Sequence, residues 1–81
     1  MKIFVGRLSP AVTDLHLELL FGHFGEVENA TVIYDKATGG SKQFGFVEMK
    51  YAREAVKAID KLNGAPLEGS NIVVNEARER R

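Results

Sequence analysis

The chain has 81 residues, 44% apolar and 27% charged, enough for one domain with a modest core. Eleven basic residues balance eleven acidic ones, which argues against strong charge-driven polyanion binding and predicts weak binding with a shallow salt dependence. With no cysteine there is no disulfide and no thiolate metal site, and no apolar run approaches the roughly 18 residues of a membrane helix. The stretch Met1–Gly6 is broken too soon, by Gly6 and Arg7, to read as a secretory signal, so the expected location is cytoplasmic.

Lys2–Gly6 alternates and is rich in β-formers, which predicts a strand with Ile3 and Val5 on one face and Lys2, Phe4 and Gly6 on the other. Ser9-Pro10 breaks it. Thr13 is a good N-cap for a helix running to about Phe24, closed by Gly25. Leu17, Leu20, Phe21 and Phe24 make its apolar stripe. Leu15 and Leu19 lie one turn apart on the opposite side, pointing to solvent. They form a candidate face for weak self-association or a protein partner, or are simply two scattered surface leucines. His16 and His23 share a face two turns apart, but with no evident third ligand a metal site is not expected and both should be solvated.

The next strand falls within Glu26–Tyr34, and the polar cluster from Asp35 to Ser41 turns the chain into a second strand, giving an antiparallel hairpin. That second strand, Lys42-Gln43-Phe44-Gly45-Phe46-Val47-Glu48-Met49, is the most informative stretch. Strand alternation puts Phe44, Phe46 and Glu48 on one face and Gly45, Val47 and Met49 on the other. Val47 and Met49 supply a buried face, so the two phenylalanines need another use. A flat platform for stacking unpaired nucleic-acid bases is the use expected. Tyr51–Leu62 carries a second helical stripe of Ala52, Ala55, Ala58, Ile59 and Leu62, stopped by Asn63-Gly64. Leu67 plugs the core from the loop, and Asn71–Glu76 is the last strand, with Ile72 and Val74 inward and Val73 and Asn75 outward. Gly39-Gly40-Ser41-Lys42 lacks Walker spacing, and neither paired carboxylates nor an activated serine is evident, so an enzyme is not expected and no cofactor is implied.

The order strand-helix-strand-strand-helix-strand is an α+β sandwich, with two helices on one face of a four-stranded antiparallel sheet and the other face open. With Lys42–Met49 as octamer and Ile3-Phe4-Val5-Gly6-Arg7-Leu8 as hexamer, the chain resembles the RNA recognition motif family, whose fold is ferredoxin-like. Leu62-Asn63-Gly64 and Val74-Asn75-Glu76-Ala77-Arg78 resemble its second-helix end and fourth strand. As a whole it is similar to the small stand-alone single-motif proteins of bacteria. The resemblance implies a domain over residues 1–78, with 79–81 a short basic tail, that binds short single-stranded RNA weakly and with modest sequence preference.

Carried over residue by residue, the resemblance implies that Phe4 and Phe46 each stack on a base and that Phe44 packs on the sugars between. Lys42 reaches a phosphate. Arg7, Thr31, Asn71, Asn75 and the backbone around Glu76 to Arg78 supply edge contacts, and Ile33 and Val73 add apolar contact at the rim. Lys2 belongs to the same face. This chain departs from the family pattern at five places. Gln43 stands at the octamer glycine, Met49 at its terminal aromatic, and Arg7 at the hexamer asparagine. Glu48 lies on the platform face, where it can pair with Lys2 or Lys50, and Ser70 replaces a basic residue. The alternatives are single-stranded DNA binding, which stacking does not distinguish, and a protein-interaction module that uses the helical face.

Overall fold

The computed structural model describes residues 1–77. Along the chain run β1 (Lys2–Gly6), α1 (Asp14–Gly22), β2 (Val27–Tyr34), β3 (Ser41–Met49), α2 (Ala52–Leu62), β4 (Pro66–Leu67), β5 (Ser70–Asn71) and β6 (Val73–Glu76). The main sheet has the order β2-β3-β1-β6 with every neighbour antiparallel, so the two motif strands, β1 and β3, are central. This is the βαββαβ sandwich expected. Ile3, Val5, Val32, Val47, Met49, Ile72 and Val74 pack with Leu17 and Phe21 of α1 and Ala55, Ala58 and Leu62 of α2 in one core. Met49, an aromatic position in the family octamer, is fully buried there. Leu8 and Val12, in the loop after β1, also belong to it and were not singled out in the sequence, because no periodic pattern spans that loop.

Several boundaries differ from expectation. Helix α1 ends at Gly22, where the His23 and Phe24 N–H groups donate to the Leu20 and Phe21 carbonyls at 3.3 and 3.0 Å in a tightened last turn. Gly25 serves a different purpose: a Cβ there would collide with the Glu54 side chain, whose Oε1 accepts the Glu26 N–H at 3.0 Å. Ala52, at the start of α2, is exposed rather than part of the packed stripe. His16 is not simply solvated. Its Nδ1 accepts the Thr13 N–H at 2.9 Å, capping α1, and its Nε2 faces Glu68 at 3.5 Å. The small β4–β5 hairpin was not anticipated, since two-residue strands leave no alternation to detect: Leu67 was placed in a loop and Asn71 in the last strand, which instead begins at Val73.

Three side-chain bonds fasten the layers. Asp14 Oδ1 accepts the Val32 N–H at 2.7 Å, tying α1 to β2. Asn63 Oδ1 accepts the Val74 N–H at 3.0 Å, and Asn71 Nδ2 donates to the Gly64 carbonyl at 2.9 Å. The last two satisfy edge-strand and turn groups where β6 has no further strand to pair with. That gives Leu62-Asn63-Gly64 a physical reason: helix end, cap for the sheet edge, and a left-handed residue at φ 88°.

Candidate nucleic-acid interface

The sheet face opposite the helices carries three phenylalanine rings. Phe4 projects from β1, and Phe44 and Phe46 from β3. Ring centroids lie 5.9 Å apart for Phe4–Phe44, 5.9 Å for Phe4–Phe46 and 6.1 Å for Phe44–Phe46. Each ring is half-buried by its neighbours while the face it shares stays uncovered. The Phe4 ring leans over Gly6, where a Cβ would lie 2.8 Å from it. Gly6 is thus the seat of the first ring. Gly45 plays the corresponding part behind the sheet: a Cβ there would collide with the Thr31 carbonyl oxygen and lie 3.0 Å from Val32 Cα. Only glycine lets β2 come this close to β3.

Register places the candidate contacts in one line. Asn75 pairs with Phe4, Phe4 with Phe46, and Phe46 with Thr31. At strand spacing this row of four spans about 14 Å. A β-bulge near the start of β2 completes it. Val27 pairs with Met49, yet Asn29 pairs with Glu48, so β2 spends two residues against one. Val27 therefore packs on the core side, and Asn29, Thr31 and Ile33 share the ring face. Together with Lys2, Phe46 and Glu48 they line a depression of about 160 Å³ beside the Phe46 ring. Asn29 was not named among the sequence candidates, although alternation from Thr31 and Ile33 already puts it on their face; the bulge turns Val27, not Asn29, away from that face.

Lys2 lies opposite Glu48 in the β1–β3 register, but its Nζ sits 4.7 Å from the Phe46 ring centroid. Lys50 likewise lies over Tyr51, at 5.5 Å. Among the described residues Glu48 has neither lysine as an ion-pair partner, contrary to expectation, because each ammonium rests on an aromatic face instead. Lys42, Arg7, Asn71 and Asn75 are exposed, and Ile33 and Val73 are half-exposed at the rim. Arg78 and the basic residues 79–81 lie outside the described residues. Leu15 and Leu19 are 60% and 62% exposed on the outer side of α1, away from the rings.

Gln43 and Arg7 are placed unusually. Both are left-handed, at φ 67° and 57°. Between the pairs Val32–Gly45 and Tyr34–Ser41, β3 holds two residues more than β2, and Gln43 sits in that bulge. Its carbonyl accepts the Leu8 N–H at 2.9 Å and its N–H donates to Ser41 Oγ at 2.9 Å. The glycine of the family octamer thus has a conformational reason, which this chain overrides.

The family profile described as RNA recognition motif matches residues 3–73. The chain belongs to the RNA recognition motif family, a class of β-sheet RNA-binding domains. More particularly, it is 49% identical to the 29 kDa ribonucleoprotein, chloroplastic, of Arabidopsis thaliana over 98% of its length, which is 23% of that protein. It is 46% identical to glycine-rich RNA-binding protein 10 of Brassica napus over 98% of its length and 47% of that protein's. The crystal structure of RNA Binding Protein PG1 superimposes with a TM-score of 0.94 at 41% identity, covering 100% of this chain and 98% of that one. The chain thus spans less than half of the length of either plant relative. Three further relatives, from Nicotiana and Arabidopsis, are also named chloroplastic. These names overturn the cytoplasmic location expected from sequence. The absence of cysteine does not discriminate, since a chain without thiols is indifferent to the redox state around it.

Proposed function

We propose that residues 1–78 act as a module that binds short single-stranded RNA on the open sheet face. The observation that carries the reading is the in-register row Asn75–Phe4–Phe46–Thr31, with three rings about 6 Å apart on the face the helices leave bare. One base stacks on Phe4 and one on Phe46, and Phe44 supports the sugars between them. A base arriving on Phe46 displaces the Lys2 ammonium, which is then free for a phosphate or for a base edge in the adjoining depression. Lys42, Arg7 and Arg78 supply further positive charge. Thr31 and Asn75 offer polar contacts at the two ends of the row, with Ile33 and Val73 at the rim.

About 2–4 nucleotides are held, weakly and with modest sequence preference. Such contacts suit an RNA chaperone or post-transcriptional regulator that acts transiently. The test is an amide NMR titration with a pool of short single-stranded RNAs at low salt, repeated with Phe46→Ala. Shifts centred on Phe4, Phe44, Phe46 and Asn75 and weakened by the substitution are expected; no sheet shifts up to millimolar RNA would sink the reading. Parallel DNA oligonucleotides measure the contribution of the 2′-hydroxyl. A second surface is favoured by one observation, the exposure of Leu15 and Leu19 on α1. Leu15→Glu with Leu19→Lys tests it: sedimentation at high concentration identical to wild type removes self-association through that face.

A further inference from the structure

Three of the five departures from the family pattern meet in one place. Arg7, Gln43 and Ser70, with Gly69 and Asn71, line a polar cavity of about 430 Å³ at the end of the platform where β1 finishes and β3 begins. It is a half-open, mostly polar depression. Gln43 directly precedes Phe44, and Arg7 directly follows the glycine under the Phe4 ring. On the sheet-face reading, an RNA strand lying on those rings can extend past the end of β1 and the start of β3 to reach this opening with its next base.

The side chains around it are unspent. Among the described residues no hydrogen bond or ion pair engages the Arg7 guanidinium, the Gln43 side-chain amide or the Ser70 hydroxyl. Asn71 is half committed: its Nδ2 donates to the Gly64 carbonyl at 2.9 Å, which fixes the amide and leaves Oδ1 as the available atom. The cavity thus offers a forked cationic donor, a fixed acceptor, and an adaptable amide and hydroxyl.

We propose that this cavity is a base-edge pocket selecting guanine next to the stacked bases; the proposal rests on the sheet-face reading above. Guanine presents O6 and N7 as adjacent acceptors for the guanidinium fork and N1–H with N2–H₂ as donors for the Asn71 and Gln43 oxygens. Adenine sets an N6–H₂ donor against the arginine. Uracil gives the fork one oxygen and no ring-nitrogen acceptor beside it. Cytosine offers N3 and O2 to the fork but has no ring N–H beside its amine to satisfy the second oxygen. The modest sequence preference expected of a stacking platform is, on this reading, concentrated at one position.

The experiment uses fluorescence anisotropy with a labelled nonamer of uridine and a series in which one guanosine is walked through it. The readout is the ratio of the two affinities for wild type, Arg7→Lys, Asn71→Ala and Phe46→Ala. Wild type should favour guanosine at one position by about fivefold or more. Arg7→Lys, which keeps the charge and loses the fork, should bring the ratio close to one, and Asn71→Ala should reduce it. Phe46→Ala should weaken both oligonucleotides and preserve the ratio. No guanosine preference in wild type, or one that survives Arg7→Lys, overturns the pocket while a Phe46→Ala effect keeps the platform. Indifference to Phe46→Ala removes the platform, and the pocket with it.

Discussion

Gln43→Gly should make this protein more stable, although it removes a side chain and adds none. Gln43 holds φ at 67°, where a non-glycine residue costs roughly 1–2 kcal/mol from its Cβ. Glycine relieves that and, through its greater freedom in the unfolded chain, gives back roughly 0.5–1 kcal/mol. Both backbone bonds of residue 43, to Leu8 and to Ser41, survive the change. The side chain is exposed and makes no hydrogen bond among the described residues, so little else is lost. The net expectation is about 0.5–1 kcal/mol of stabilisation, a rise in Tm of about 2–8 °C for a domain of this size. Thermal unfolding followed by circular dichroism, with urea unfolding at 25 °C, measures it. Gln43→Ala is the control, since it removes the side chain and keeps the left-handed strain; it should stay within about 0.5 kcal/mol of wild type. Equal shifts for the two variants, or a lower Tm for Gln43→Gly, would refute the strain argument.

Gly45→Ala should cost about 1–3 kcal/mol, because the atoms its Cβ would meet, the Thr31 carbonyl and Val32 Cα, are backbone and cannot swing aside; a Tm within 2 °C of wild type, far below the about 4–8 °C per kcal/mol expected, contradicts it. Asn63→Ala leaves the Val74 N–H at the sheet edge without its acceptor and should cost about 1–3 kcal/mol in urea unfolding, with RNA affinity per folded molecule unchanged. Phe46→Ala should weaken RNA binding by about 5- to 150-fold, the equivalent of one lost base stack, in anisotropy titrations. The salt dependence should be shallow: with Lys2, Lys42 and Arg7 as the described cations at the platform, log Kd against log salt should have a slope of magnitude about 2 or less.

The fold was legible because its two strongest signals are local. Alternation in Lys2–Gly6 and Phe44–Met49 and the stripe at Leu17 and Phe21 each report a single buried face, and the structure buries those residues. The ring cluster was legible for the complementary reason: Phe4, Phe44 and Phe46 fell on faces that the core had no need to use. What escaped depends on departures from regular geometry. The bulge that turns Val27 onto the core side, the left-handed turn at Gln43 and the two-residue strands β4 and β5 break the period on which such reading relies. Gly25 was assigned to a helix end, yet its smallness is demanded by Glu54, 29 residues along the chain, a tertiary contact with no local trace. His16 likewise reads as a solvated residue until Glu68 arrives beside it from the hairpin.

The strength of the platform follows from its parts. Two base stacks contribute about 2–6 kcal/mol between them, and a dissociation constant of 1 mM already requires about 4 kcal/mol. The neutral chain adds little electrostatic attraction, and association entropy takes part of the gain. On the proposed reading, stacking alone would leave one module near the millimolar range and indifferent to sequence. A polar pocket holding one base edge, worth about 1–3 kcal/mol, would move it toward the micromolar range and give it a preferred base in the same step. The residue at the hinge of that trade is Gln43, held in a conformation that glycine adopts more cheaply. Stability and recognition then pull in opposite directions at a single site: Gln43→Gly should raise Tm while lowering the guanosine-to-uridine affinity ratio. A gain in stability with no change in the ratio would confine Gln43 to a backbone role and leave the pocket to Arg7 and Asn71.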